Sequence, residues 1–145
     1  MRKNRTVTKI LKLKENRKKE IELEVKKAAD REEEEKTRLK ALEKDYTETM
    51  EYFSENHGEG PLDINKLISY YDFFSRINGK IDEQKKIHNE CQSELTCLKD
   101  SLVQAHQEKR MFEIIHDKAV KTEHKENLKS EQKENDFIAL SRREK

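Results

Sequence analysis

Apolar residues recur at alternating steps of four and three along two stretches of this 145-residue chain, and the stretches mirror each other about the one place where the chain can turn. In the first, the positions are Val7, Leu11, Lys14, Lys18, Ile21, Val25, Ala28, Glu32, Glu35, Leu39, Leu42, Tyr46, Thr49 and Phe53, nine of fourteen apolar. In the second they are Ile77, Ile81, Gln84, His88, Cys91, Leu95, Leu98, Leu102, Ala105, Lys109, Phe112, His116 and Ala119. A period near 3.5 is the seam of a left-handed coiled coil. Between the stretches lie Gly58, Gly60 and Pro61, three of the four Gly and Pro residues in the chain. That is its clear break. Asp63 just beyond can cap a helix, its carboxylate accepting from exposed first-turn amides.

A short turn there forces the helices antiparallel, with partners whose numbers total about 120. Leu42 then meets Ile77, Leu39 meets Ile81, Ala28 meets Cys91, Val25 meets Leu95, Ile21 meets Leu98 and Val7 meets Phe112. The polar intruders coincide as well: Glu32 and Glu35 face His88 and Gln84, a polar layer that can fix register. The expected fold is all-α, two long helices in one antiparallel coiled-coil hairpin spanning 1–145. Helix 1 covers about 6–55, the loop about 56–62 and helix 2 about 63–140, with the tail from about 117 unpaired and helical only in part.

Composition agrees. The chain is 43% charged, and 32 Lys and Arg nearly balance 31 Asp and Glu, so the strong net charge of a disordered chain is missing. A narrow seam is the most such a sequence can bury. No apolar run approaches the roughly 18 residues that span a bilayer, and no leading apolar segment suggests secretion. Cys91 and Cys97 lie about 9 Å apart along a helix axis, too far for a disulfide, and read as reduced thiols.

Little in the sequence looks catalytic. "GEGP" lacks the Lys and the strand-to-helix setting of a phosphate loop. His88 and Cys91 share a helix face but supply only two of the four ligands that a structural zinc needs. The carboxylates Glu32 to Glu35 have no pocket to shift them. The expectation is no enzyme, no cofactor and no metal site.

Two features point to recognition instead. Residues 2–19 hold nine basic groups against Glu15 alone, whereas 20–63 hold fifteen acidic and seven basic. Nucleic acid is one partner for such a tip, although no aromatic residues interleave it for base stacking; an acidic protein surface is equally consistent, and a solvated helix end is the plain alternative. Four of nine aromatic residues, Tyr70, Tyr71, Phe73 and Phe74, fall in "LISYYDFFSRING". Leu67, Tyr71 and Phe74 are expected to continue the seam, leaving Tyr70, Phe73 and Ile77 as a second row. The steps of three from Tyr71 to Ile77 form a stammer, and Gly79 weakens the helix beside it. The row either joins Tyr46, Met50, Tyr52 and Phe53 in an aromatic knot, or Phe73, with Tyr70 and part of Ile77, stays exposed to anchor a partner.

Three stretches carry a family resemblance: "LKLKENRKKEIELEVKKAADREEE", "LISYYDFFSRINGKIDEQKK" and "QEKRMFEIIHDKAVKTEHKENLKSEQKENDFIALSRREK". In the last, Glu131, Gln132 and Lys133 precede Asp136, Phe137, Ile138, Ala139 and Arg142. Their order along a single hairpin resembles FliJ, the cytoplasmic coiled-coil protein of the flagellar type III export apparatus. The resemblance implies a stalk that binds a hexameric export ATPase, the cytoplasmic domain of the membrane export gate, and export chaperones, aiding substrate delivery. It implies a cytoplasmic protein associated peripherally with the inner-membrane apparatus through protein contacts. Carried over, Arg2, Lys3, Arg5 and Lys9, with Phe137 and Arg142 in the tail, would face the ATPase. Tyr70, Phe73, Ile77 and Lys80 would face the gate. Where the family continues that row through a small residue and a His, this chain has Lys80 and Gln84. Alternatives are the equivalent stalk of a virulence type III secretion system, a purely structural coiled-coil spacer, and a nucleic-acid-binding coil.

Overall fold

A computed structural model describes the backbone of residues 2–56 and 63–143, and the side chains of 5–55 and 63–143. Helix α1 spans Arg2–Asn56 and α2 spans Ile64–Arg143, with no strand among the described residues. The fold is an all-α helical hairpin. Gly58, Gly60 and Pro61, where the turn is expected, lie outside the described residues. Asp63 caps α2 as expected: its Oδ1 accepts from the Asn65 amide at 3.1 Å, and its carbonyl accepts the Leu67 amide at 3.0 Å.

The chain divides into two compact units, Met1–Ile21 with Ser101–Lys145, and Glu22–Asp100. In the unit Glu22–Asp100 the helices run antiparallel, Arg31 pairing with Glu94, Glu32 with His88 and Tyr46 with Phe74. Ala28, Ile77, Ile81 and Cys91 are buried there. Fully burying an aliphatic side chain stabilises by about 1.5–3 kcal/mol. Even the core keeps some exposure, since a two-helix seam has no third layer to close it.

The polar layer forms as expected. The Gln84 amide donates to both the carbonyl and the carboxylate of Glu35, and both residues are buried. Arg38 adds a contact to the same carboxylate at 3.0 Å. His88 Nε2 lies 2.8 Å from Glu32 Oε1. Leaving one of these groups unpaired in the seam would cost about 1–3 kcal/mol. The smallest slip that preserves the apolar seam is one heptad. It would set Glu35 against Ile77 or Cys91, so the layer holds the helices in one alignment.

In the unit Met1–Ile21 with Ser101–Lys145, α1 and α2 are again antiparallel. Ile21 and Ala105 are buried. Two seam lysines, Lys14 and Lys109, are accommodated by partners across the pair. Lys14 Nζ lies 3.0 Å from Glu108 and 5.6 Å from the Phe112 ring centroid, so its charge is paired while its stem covers the seam. Lys109 pairs with Glu15, and with Glu113 at 3.6 Å. The Lys109 ammonium holds the Glu15 carboxyl below its ordinary value, and Glu15 in turn raises Lys109. Toward the C-terminus, partial cover ends at Glu123; from His124 on every described residue is exposed, yet α2 stays helical through Arg143.

One expectation fails at the start of α2. Tyr71 is 76% exposed and Leu67 is exposed too, so neither continues the seam. Tyr70 takes that place, giving Tyr70, Phe74, Ile77, Ile81, Gln84 and His88 in steps of four, three, four, three and four. The alternation is unbroken and the expected stammer is absent. Tyr70 and Ile77 accordingly turn inward, Ile77 to 5% exposure, rather than forming an outward row. The cause is across the pair: Phe53 offers its ring to Tyr70, and Tyr46 offers its ring to Phe74.

Candidate recognition surfaces

The aromatic residues of the unit Glu22–Asp100 form a knot of edge-to-face contacts. Phe53 meets Tyr70 with centroids 4.7 Å apart and Phe74 at 6.3 Å; Tyr46 meets Phe74 at 5.3 Å, and Phe73 meets Phe74 at 5.6 Å. Such pairs contribute about 0.5–1.5 kcal/mol beyond their buried area. The knot therefore answers where most of the cluster goes.

Phe73 is held at its edge. Half-buried against Phe74, it lines an open groove with Leu42, Asp45, Arg76, Ile77 and Lys80. The groove has an apolar floor from Leu42, Phe73 and Ile77 and a charged rim from Asp45, Arg76 and Lys80. That arrangement suits an apolar anchor from a partner whose flanking polar groups meet both signs of charge. Three of the four residues that the family resemblance assigns to a gate contact, Phe73, Ile77 and Lys80, line this groove together. Tyr70 is not among the lining residues, because its ring is engaged by Phe53. Leu42 and Asp45 are additions from α1 that only the pairing register reveals.

The residues assigned to the ATPase are distributed differently. Arg5 and Lys9 are exposed on α1, while the side chains of Arg2 and Lys3 lie outside the described residues. Phe137 is 70% exposed and, with Ser130, Lys133, Glu134 and Ile138, lines a shallow furrow along its own helix. Arg142 is exposed in the last turn of α2, where a cation complements the helix dipole.

Other candidates resolve into packing. His88 turns to Glu32, and Cys91 is buried in the seam. Among the described residues no group of three or more His, Cys, Asp or Glu is placed to hold a metal ion. No helix there is long and apolar enough to cross a membrane. Sequence reasoning missed one feature: Ile64, Leu67, Ile68 and Tyr71 are all exposed, at i, i+3, i+4 and i+7 of α2. Their helical spacing was the available signal, masked by the assignment of Leu67 and Tyr71 to the seam.

A hairpin of two long antiparallel helices with no strand among the described residues belongs to the class of coiled-coil proteins. Residues 4–143 match the family model described as flagellar FliJ protein, and the chain belongs to that family. Membership makes it a component of the flagellar export apparatus, in a family of non-enzymatic proteins. No curated protein and no solved structure matches the chain.

Proposed function

We propose that this chain is the non-catalytic hairpin that binds the hexameric export ATPase and the cytoplasmic domain of the export gate, and aids delivery of export substrates and their chaperones. It would work in the cytoplasm, held peripherally at the inner-membrane apparatus by protein contacts. The observation that carries this reading is the groove of Leu42, Asp45, Phe73, Arg76, Ile77 and Lys80 within a chain of this family. In this reading the groove meets the gate, Phe73 and Lys80 making the contact. Tyr70 and Ile77 act from beneath, as residues that hold Phe73 in place. The ATPase is met by the basic segment with Arg2, Lys3, Arg5 and Lys9, and by Phe137 and Arg142.

Separate substitutions test the two contacts. Phe73→Ala and Lys80→Glu together are expected to weaken binding to the purified gate domain at least tenfold with helicity unchanged. Ile77→Ala is a poor probe, since it would open the seam. Arg5→Glu with Lys9→Glu is expected to abolish stimulation of the cognate ATPase while leaving gate binding intact. A wild-type sample that fails to raise ATPase turnover at any ratio, or a Phe73 and Lys80 variant with full gate affinity, would sink the corresponding half of the proposal.

A further inference from the structure

The stripe Ile64, Leu67, Ile68 and Tyr71 is a second surface, separate from the Phe73 groove. At about 100° per residue, Phe73, Arg76 and Lys80 fall on one flank of the α2 seam and the stripe falls on the other. On α1, Asp45 lies on the groove flank and exposed Met50 on the stripe flank. Two turns of helix thus present four large apolar side chains to water, with Ile64 at 70% and Tyr71 at 76% exposure. On a chain that is 43% charged, such a patch is a binding feature rather than ordinary surface.

Charge limits what can cover it. Residues 43–55 and 63–72 carry seven exposed carboxylates against Lys44 and Lys66, and all but Asp45 lie off the Phe73 groove. Lys44 is itself 3.7 Å from Glu48, and Asp72 follows the stripe directly. An anionic lipid surface or an acidic helix would be repelled by this field, whereas a cationic helix would be drawn to it. The stripe is about 10 Å long, matching two turns of a partner helix with apolar groups at i, i+3 and i+4.

We propose that Ile64, Leu67, Ile68 and Tyr71 dock a cationic amphipathic helix of a partner protein, its apolar face on the stripe and its Lys or Arg residues over the surrounding carboxylates. The docking is independent of the gate reading, because it uses the opposite flank.

The test titrates the full chain with an 18-residue amphipathic helical peptide of Leu and Lys, with its Leu and Glu counterpart, and with phosphatidylglycerol vesicles. The Leu and Lys peptide is expected to bind, with affinity falling as salt is raised and at least tenfold weaker for Ile68→Ser with Tyr71→Ser. Tyr71→Ser alone, at the most exposed position, is expected to weaken it several-fold with helicity unchanged, which covers any folding defect of the double variant. Phe73→Ala is expected to leave it unchanged, so failure here and failure at the gate are distinguishable. Equal binding of the Leu and Glu peptide, unaltered affinity in both stripe variants, or stripe-dependent capture by the vesicles would each overturn the proposal. So would a dimer in sedimentation equilibrium that the double variant makes monomeric, because the occupant would then be a second copy.

Discussion

At the scale of single residues, Gly79 and Glu15 show how differently two surface positions are constrained. An added Cβ at Gly79 would meet nothing within 4 Å, so the glycine serves no internal close approach. Gly79→Ala is therefore expected to stabilise the hairpin by about 0.5–1 kcal/mol, read as a rise in the urea midpoint without a change in slope. Glu15 is tied to Lys109, with its carboxyl held below the ordinary value of 4.5 and Lys109 raised above 10.5. A depressed carboxyl contributes stability above its unfolded value, lost as pH falls through the folded one. A raised amine contributes stability below its unfolded value, lost as pH rises through the folded one. The Tm difference between wild type and Glu15→Gln should thus be present between about pH 5 and 10 and vanish in stronger acid. A difference that persists at pH 2 would show that Glu15 acts through packing instead.

At the scale of elements, the first turns of α2 decide how the aromatic residues are shared between core and surface. Seam geometry assigns Phe74 to the interior, between Tyr46 and Phe53, and leaves Tyr71 outside. Phe74→Ala should cost about 3 kcal/mol, somewhat less for a half-covered site. Tyr71→Ser should stay within about 0.5 kcal/mol. Thermal melts of the two variants, followed by circular dichroism, measure both. Equal losses would mean that the seam runs through Tyr71 after all. From the sequence, Tyr70 and Tyr71 were near-equivalent, since either continues an apolar row from Phe74 at a helical step. Only the partner helix distinguishes them: Phe53 supplies a ring where Tyr70 lies. The same missing information hid the groove, one of whose three floor residues and one of whose three rim charges, Leu42 and Asp45, come from the other helix.

At the scale of the whole molecule, protection is expected to be uneven along α2. Residues 22–100 have a paired seam with a satisfied polar layer, whereas 124–143 are exposed on every face. A helix of about 20 residues without a buried face is marginal in water. Hydrogen exchange should therefore be much faster in 124–143 than at Ile81 to Cys91, approaching unprotected rates. Addition of the cognate ATPase should slow it if the tail is a contact, as proposed through Phe137 and Arg142. Exchange as slow as the seam in the isolated chain would contradict the marginal stability argued here.

The amino-acid sequence was sufficient for the helices, their antiparallel pairing and the polar layer. These follow from a repeat written in the order of residues and from a break that folds one repeat onto the other. It also carried the family, through motifs spread over nearly its whole length. What it left undecided was which of two adjacent aromatic residues enters the seam, and hence which apolar groups remain in water. The two stand four and three residues before Phe74, and a seam uses both steps, so the choice waits on the side chains of the opposing helix. Packing made that choice, turning Tyr70 inward beside buried Ile77 and leaving Tyr71 on an exposed stripe.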